Sequence, residues 1–390
     1  MRRKIMAAAV MALCSTGLVA SAMAAGDEFV GSAKCKMCHK AEYESWQNSS
    51  LHSKMVRSKD DGILKAVVDK WATDGTNPGP TKGNVTGKAF ALADVKMVVG
   101  GSKWKQRFLV TDETTGYHQF MDKQFNVVSG QWEPYGNKND WEFICGTCHT
   151  TGYRLTSYDP QNPKAAKASF TEANVGCEAC HGPGAKHVSG VKKGTIWNPA
   201  KQSKAEQTRA CGYCHNRIEN EAFKTPQGNP REDLPTPKVG DSFKPSDDWT
   251  KWYPEHAVMP GIQPEDKVDA EYHGDLKGLF ILDETSKKNG VYEEAKHHQQ
   301  YQGFLQSKHY KNDILSCNDC HSPHAGKKIT AKVAKDTCKT CHNDTYSYEK
   351  IMPGTAGTAK NLTVRTHTFF KDQNRPSKPV SNVTPELNKK

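Results

Sequence analysis

Hydrophobic and polar positions in the first part of the chain indicate helix, followed by strand. Apolar and aromatic residues recur at helical spacing over 41–57, with Tyr43 and Trp46 on one face, and again over 63–71. Glycine and proline over 74–80 then break the pattern. Four short β-prone runs follow, at 95–99, 105–110, 117–121 and 125–128. They predict a small antiparallel β-meander, with a tight turn at Asp122-Lys123 between the last two runs.

The second half of the chain has a different pattern. Residues 219–289 are rich in proline, glycine and charge, which predicts a long irregular connection. Residues 291–310 have helical periodicity. In such a helix His298 and His309, about three turns apart, point the same way. The tail from Pro353 lacks periodicity, so we expect it to be extended or mobile, with Thr368-Phe369-Phe370 docked on the protein.

The N-terminus has the pattern of a secretory signal peptide. Arg2, Arg3 and Lys4 precede an apolar run over 5–20, and Ala22-Met23-Ala24 offers a cleavage site. Cys14 follows Leu13, which is too large for a lipoprotein cleavage site, so we expect no lipid anchor. No apolar run of about 18 residues occurs later, so we expect no transmembrane segment. These patterns predict an exported protein of the periplasm, with an extracellular or outer-surface location as the alternative.

Six copies of Cys-x-x-Cys-His carry the chemistry of this chain. Their cysteines are Cys35, Cys38, Cys145, Cys148, Cys177, Cys180, Cys211, Cys214, Cys317, Cys320, Cys338 and Cys341. Their histidines are His39, His149, His181, His215, His321 and His342. This pattern is typical of c-type haem attachment, in which both thiols bind the haem vinyl groups and the histidine ligates the iron.

Two other interpretations of the cysteines compete with haem. Paired Cys-x-x-Cys sequences also form zinc sites, and single pairs form redox-active disulfides. Neither explains why a histidine follows the second cysteine in all six copies. The sequence therefore predicts six covalently bound haems c, each with an iron, and leaves no cysteine of the mature chain for a disulfide.

The motifs and the patterns together divide the chain into seven segments. The predicted segments are the signal peptide (1–24), a helical segment with the first motif (25–72), the inserted β-meander (73–143), a three-haem segment (144–218), an irregular insertion (219–289), a helix with two haems (290–350) and the tail (351–390). The predicted fold class is mainly α with much irregular structure and a small inserted antiparallel β-meander.

Composition and charge fit a haem-rich protein and exclude one class of partner. Only 36% of the residues are hydrophobic, so the haems must supply much of the buried apolar surface. The formal net charge is +11. The net charge falls when the signal peptide is cleaved. Two ionised propionates on each haem then offset most of the remaining positive charge. The charge therefore gives no support for nucleic-acid binding.

The second axial ligand decides whether a haem only transfers electrons or also binds substrate. Six of the ten remaining histidines are the candidate distal ligands, namely His52, His118, His187, His298, His309 and His324. His187 and His324 follow haem motifs too closely to reach the same iron, so we expect each to ligate a neighbouring haem. His256, His273, His297 and His367 are weaker candidates, as are Met55 and Met259, since methionine more often fills core gaps.

The chain resembles multihaem cytochromes related to the tetrahaem electron acceptor of hydroxylamine oxidoreductase. The resemblance lies in residues 31–35 through Trp46 and His52, in 176–184, and in 307–324 with its Cys-His-Ser-Pro-His sequence. It implies a haem-packed, mostly helical fold with stacked and perpendicular haem pairs. It also implies that His187 and His324 are distal ligands. This chain departs from the tetrahaem pattern by two further motifs and two insertions, so the partner cannot be carried over.

Three functions are compatible with these features. The first is electron transfer along mostly bis-histidine haems between other redox proteins as donor and acceptor. Bis-histidine ligation without methionine favours low reduction potentials. The second is an enzyme that reduces or oxidises a small nitrogen or sulfur compound at one five-coordinate haem. The third is a subunit that self-assembles or docks to a membrane complex, with His367 as ligand in a neighbouring copy. The number of spare histidines favours the electron carrier over the enzyme.

Overall fold

The structure is a computed structural model. It describes residues 28–60, 78–101, 105–136, 140–159, 161–162, 165–216, 219–224, 230–232, 239–252, 280–281, 288–295, 297–325, 338–342, 348–358 and 362–370. The predicted signal peptide, the predicted helix at 63–71 and most of the irregular insertion lie outside these residues. No helix among the described residues is long and apolar enough to cross a lipid bilayer.

A five-stranded antiparallel sheet is the largest regular element among the described residues. Its strands follow one another in chain order: β1 (Val56–Ser58), β2 (Val95–Val99), β3 (Lys105–Thr111), β4 (His118–Asn126) and β5 (Gln131–Pro134). Successive residues of a strand point to opposite faces. Phe108 and Val110 therefore join a core cluster on one face, while Leu109 joins Phe120 and Trp141 on the other. The second face packs against the segment that leads into the second motif.

The β-meander is present, but the turn between its last two strands was predicted in the wrong place. The tight turn expected at Asp122-Lys123 lies inside β4. Asp122 stays in the strand because its amide donates to the Lys82 carbonyl at 2.8 Å and its carboxylate accepts from the Thr81 amide at 3.1 Å. The chain turns after Asn126, whose side chain accepts from the amides of Val128 and Ser129.

The remaining strands form five small two-stranded sheets. They are β6 (Thr150–Thr151) with β9 (Glu172–Ala173), β7 (Arg154–Ser157) with β8 (Lys167–Ser169), β10 (Glu219–Lys224) with β11 (Pro230–Glu232), β12 (Phe280–Ile281) with β13 (Glu293–Glu294), and β14 (Gly354–Thr358) with β15 (Leu362–Arg365).

The described helices are short. They are α1 (Ser32–Cys35), α2 (Lys40–Ser49), α3 (Gly146–His149), α4 (Cys177–His181), α5 (Ala185–Gly190), α6 (Lys204–Gly212), α7 (Gln300–Leu305), α8 (Lys308–Lys311), α9 (Cys317–Cys320) and α10 (Tyr348–Ile351). A π-helical turn (Trp141–Cys145) leads into α3, and single 3₁₀ turns occur at His52–Lys54, Leu92–Asp94, Pro199–Lys201 and Trp249–Trp252.

The predicted mainly α fold is therefore wrong. Among the described residues the longest helix has ten residues, and strands form six separate sheets. Helices this short are marginal on their own, because most helical stability comes from packing of a long amphipathic face. A chain anchored covalently through cysteine pairs needs no such face, since one helical turn is enough to present each pair.

The single helix expected over 291–310 is also wrong. This segment contains β13, a turn at His297 and His298, and the two short helices α7 and α8. His298 has a φ of 48°, in the left-handed region that interrupts a helix. The Gln306 side chain bonds both the amide and the carbonyl of Tyr292 at 2.7 Å, so the segment folds back on itself. The helix predicted over 41–57 likewise ends at Ser49, and Val56 begins β1 instead.

The described part of the tail contains paired strands. β14 and β15 pair antiparallel, where an extended or mobile segment was expected. Beyond β15, the Thr366 hydroxyl donates to the buried Glu294 carboxylate, and Thr368 donates to Glu293. The Phe369 ring lies 6.1 Å from Phe304 and 5.1 Å from His309. The predicted docking of Thr368-Phe369-Phe370 is confirmed for Thr368 and Phe369.

The third motif holds the N-terminal segment through its own second residue. Glu178 is fully buried, and its carboxylate accepts from the amides of Val30 at 2.9 Å, Gly31 at 2.7 Å and Gly184 at 2.6 Å. Burial raises the pKa of Glu178, while these amides oppose the rise because they stabilise the carboxylate. Glu172 adds a second anchor, since it accepts from both the amide and the hydroxyl of Ser32. The first and third motifs are therefore fixed beside each other.

Replacing Gly100 with alanine should destabilise the sheet. Gly100 has a φ of 107°, and an added Cβ would lie 2.1 Å from the Lys105 carbonyl oxygen. Such conformations cost other residues roughly 1–3 kcal/mol. We expect a lower midpoint of urea denaturation in far-UV circular dichroism. Gly101→Ala is the control, because no described atom lies within 4 Å of its added Cβ. Equal midpoints for the two variants would contradict the expectation.

Replacing Glu178 with glutamine should loosen the N-terminal segment. The amide of glutamine cannot accept all the backbone hydrogen bonds that the carboxylate accepts, and each buried donor left unpaired costs about 1–3 kcal/mol. Hydrogen exchange measured by mass spectrometry should therefore become about tenfold faster or more for peptides that contain Val30, Gly31 and Gly184. Glu42→Gln, on the exposed side of α2, should leave these rates unchanged. Unchanged exchange in Glu178→Gln would show that Glu178 does not hold the segment.

Candidate haem-binding sites

Each described Cys-x-x-Cys-His motif forms one helical turn that gathers its three functional side chains. The histidine amide donates to the carbonyl of the first cysteine, at 2.9 Å in the first motif, 3.1 Å in the fourth, and 2.8 Å in the fifth and sixth. Residues three and four apart on a helix share a face. Both thiols and the imidazole therefore lie on the same side of the turn, as attachment and ligation of one haem require.

Five of the six motif histidines lie opposite a second histidine. The ring centroids are 6.3 Å apart for His39 and His187, 6.1 Å for His181 and His324, 6.2 Å for His215 and His52, 6.2 Å for His321 and His367, and 6.0 Å for His342 and His309.

These separations fit a metal between the two rings. Imidazole nitrogens bind metals such as zinc at about 2.0–2.1 Å, so two imidazoles on opposite sides of one metal have ring centroids roughly 6 Å apart. Packed without a metal, two flat rings in face-to-face contact would lie closer. The residues present therefore fit an iron held between two histidines at five motifs.

Hydrogen bonds hold several of these rings with one nitrogen directed to the metal. The Nδ1 atoms of His181 and His367 lie 3.1 Å from the Trp197 carbonyl and 3.2 Å from the Arg365 carbonyl. His187 Nδ1 lies 3.2 Å from the Lys192 carbonyl. A carbonyl oxygen only accepts, so Nδ1 carries the proton and Nε2 keeps the lone pair that binds metal.

Burial also keeps the imidazoles in the form that binds metal. It lowers the pKa of His52 to about 4 and that of His367 to about 3. The pKa values of His181, His215, His309 and His321 are lowered for the same main reason. All six rings are therefore neutral at physiological pH, as metal ligation requires.

The second motif differs from the other five. His149 has no histidine ring about 6 Å away among the described residues, and its nearest recorded ring neighbour is Trp141, with centroids 6.4 Å apart. Burial lowers the pKa of His149 to about 4, and the nearby Arg107 guanidinium adds to the effect. His149 Nδ1 is buried and has no hydrogen-bond partner in the described part of the chain.

The predicted distal ligands fall into two groups. His52, His187, His309 and His324 each lie opposite a motif histidine. His118 instead lies beside Glu142, with Nδ1 2.6 Å from the carboxylate, and its ring is 6.3 Å from that of Phe170. His298 lies in the turn before α7, with its ring 4.4 Å from that of His297. His256, His273 and Met259 lie outside the described residues.

His367 was ranked too low from the sequence. Its ring lies 6.2 Å from His321 and its amide donates to Glu294 at 3.1 Å, so the position is fixed within the chain. The signal in the sequence was the neighbouring Thr368-Phe369-Phe370, which was expected to dock. A segment that docks also brings the adjacent histidine, His367, close to the core.

Contacts between thiols show which motifs are neighbours. The thiols of Cys35 and Cys177 are hydrogen-bonded, as are those of Cys211 and Cys317. Cys180 lies close enough to Cys214, and Cys320 to Cys338, for electrostatic interaction.

A hydroxyl contact connects the second motif to the fourth. Thr147 Oγ1 of the second motif lies 2.6 Å from the Tyr213 hydroxyl of the fourth, and both side chains are buried. Every motif therefore touches or faces at least one other.

Comparison with known proteins agrees with this arrangement. The family described as "Cytochrome c554 and c-prime" matches residues 34–87 and 111–182, and the doubled CXXCH motif family matches residues 310–347. No curated protein matches the chain.

Two solved structures are similar to this one. The crystal structure of the outer cell wall cytochrome OcwA matches with 22% sequence identity and a TM-score of 0.51, over 90% of this chain and 74% of that one. The undecahaem cytochrome from the S-layer of Carboxydothermus ferrireducens matches with 20% identity and a TM-score of 0.41, over 84% of this chain and 44% of that one. The family matches and the motif geometry agree, and the chain is similar to multihaem c-type cytochromes, whose Cys-x-x-Cys-His motifs imply covalently bound haem c.

Proposed function

We propose that this protein carries six haems c and conducts electrons between redox partners. The observation that carries the proposal is the set of five histidine pairs with ring centroids 6.0–6.3 Å apart. A haem iron with two histidine ligands accepts and releases one electron without exchanging a ligand. Five closed sites leave little room for chemistry on a substrate, and they suit repeated electron transfer.

The histidine pairs support an assignment of the distal ligands. We assign His187 to the haem of the first motif, His324 to the third, His52 to the fourth, His367 to the fifth and His309 to the sixth. Each distal histidine lies outside the motif whose haem it serves, so each haem is held by two separate parts of the chain. The assignments of His187 and His324 agree with the resemblance to the tetrahaem electron acceptor of hydroxylamine oxidoreductase.

The thiol contacts give the order of the haems. The first motif neighbours the third, the third the fourth, the fourth the fifth, and the fifth the sixth. The second motif joins at the fourth through Thr147 and Tyr213. We infer a line of five haems with one branch, so an electron taken up at the first or sixth motif can reach every haem.

Location and partners follow from the sequence and the fold. The N-terminal pattern supports export to the periplasm or the cell surface, and the fold is shared with an outer cell wall cytochrome. The partners are other redox proteins, one as donor and one as acceptor. The pairing of His367 with His321 inside one chain removes the residue that suggested self-assembly.

The ligand assignment is tested first at His367, where the sequence offered least guidance. His367→Ala should convert one low-spin ferric haem to high spin, because His321 loses its opposite ring. An electron paramagnetic resonance spectrum of the oxidised protein measures this change. His297→Ala is the matched control, since its ring pairs with His298 rather than with a motif histidine. A low-spin spectrum in both variants would contradict the assignment.

The second motif supports a second candidate function, catalysis at one open haem. His149 is the one motif histidine without an opposite histidine among the described residues, so its haem would keep a position for an outside ligand. Its surroundings also contain acid and base groups. Glu142 is fully buried, and it bonds His118 and receives the Tyr153 hydroxyl at its backbone carbonyl.

The charged groups near His149 suit a small anion. Arg107 interacts with His149, and its guanidinium lies 4.9 Å from the Tyr135 ring centroid, while Nε donates to Gln124 at 3.2 Å. A held cation next to an open iron favours small nitrogen or sulfur oxyanions. The haem of the fourth motif is the neighbour that would deliver electrons to this site.

Cyanide binding tests the open site directly. Titration of the oxidised protein, followed by visible absorption, should saturate at one cyanide per chain. His367→Ala should raise the stoichiometry to two, because it removes the proposed distal ligand from the haem of the fifth motif. If the unaltered protein binds no cyanide while His367→Ala binds one, the second motif is closed and the catalytic candidate fails.

A further inference from the structure

The first motif has an exposed centre. The third residue of each motif lies between the two cysteines, so its exposure shows how far the haem edge is covered. Met37 at this position is 70% exposed, whereas Thr147 of the second motif is 6% exposed and Tyr213 of the fourth 2%. Cys38 and His39 are exposed as well. The haem of the first motif therefore lies at the protein surface.

Lysines surround this exposed site. Lys34, Lys36 and Lys40 flank the first motif, and Lys186, Lys192 and Lys193 flank its opposite ligand His187; all six are exposed. The two segments are next to each other, because the His39 and His187 rings are 6.3 Å apart and the Lys192 carbonyl contacts His187. Residues 29–41 and 179–205 contain no aspartate or glutamate.

Three exposed acidic side chains lie beside these two segments. Glu42 and Glu44 lie on α2, where Glu44 is 3.7 Å from Lys40, and Glu28 lies next to Ala185. These exposed carboxylates reduce the positive charge at one side but do not interrupt the six lysines. Other regions are mixed; at the fifth motif, for example, Lys204 is bound to Asp319 at 2.7 Å.

Exposed apolar side chains accompany the lysines of both segments. Besides Met37, Val191 is 73% exposed, between Gly190 and Lys192. It has a φ of 45°, and its amide donates to the His187 carbonyl at 2.7 Å, so the turn that exposes it is fixed. Small apolar centres with charged rims are typical of protein–protein interfaces.

We propose that this surface docks an acidic redox protein and passes electrons through the haem of the first motif. Opposite charges steer the encounter, while Met37 and Val191 give contact to a protein surface that an inorganic or polymeric anion would not use. The inference rests on the proposed electron-transfer function and adds the site of exchange and the charge of the partner.

Reduction by an acidic flavodoxin tests this surface. The variant Lys36→Glu, Lys186→Glu, Lys192→Glu should lower the second-order rate constant, measured by stopped flow at low ionic strength, by about tenfold or more. The rate constants of this variant and of the unaltered protein should converge as the salt concentration increases, because salt screens the steering charges. The control variant is Lys82→Glu, Lys96→Glu, Lys167→Glu, which makes the same change in net charge at exposed positions around the sheets. It should stay within about twofold of the unaltered protein.

Three outcomes separate the possible failures. Equal rate constants for the two triple variants would overturn the docking proposal and leave the electron-transfer function standing. The first triple variant could instead lose binding to a polyphosphate matrix and keep its rate constant with flavodoxin. That result would assign the surface to an anionic polymer and would also overturn the docking proposal. Failure of the unaltered protein to take up six electrons from dithionite would instead contradict the proposed function.

Discussion

On the proposed ligation, the distance across an iron with two imidazole ligands is the constraint on which the rest of this structure depends. Two histidines must stand about 6 Å apart, with their lone pairs facing, at sites far apart in the sequence. Hydrogen bonds to Nδ1 and burial meet this requirement at His181, His187 and His367. The short helices, small sheets and folded tail are the means by which a chain with few hydrophobic residues places such pairs.

The proposed ligand pairs cross between segments that lie far apart in the sequence. His187, which follows the third motif, faces the first, and His52, which follows the first, faces the fourth. Glu178 connects the third motif to Val30, Gly31 and Gly184, which supports the same neighbourhood. On the proposed assignment, covalent and coordinate bonds to haem would join distant segments, a role that disulfides and large apolar cores have in other proteins.

The sequence displayed the haem-attachment motifs directly, whereas its predicted mainly α fold was wrong. The six motifs are defined by local spacing along the sequence. The same holds for the short sequence separations of His187 and His324 from the motifs that precede them. The helix over 291–310 failed because apolar periodicity does not reveal a left-handed residue such as His298 or a long-range contact such as Gln306 with Tyr292. His367 was underestimated for a similar reason, since Thr366 and Thr368 bond Glu294 and Glu293, more than seventy residues away.

The uneven burial of the motifs distinguishes the interior of the proposed line of haems from the end that can exchange electrons. Tyr213 is almost fully buried at the fourth motif, where the line and its branch meet, whereas Met37 is exposed at the first. A buried junction protects electrons from unwanted acceptors, and an exposed terminus exchanges them. Charge also distinguishes the first motif, because lysines flank it, whereas Lys204 binds Asp319 at the fifth. On the proposed order of haems, an acidic partner docked at the first motif would therefore exchange electrons at one end of the line.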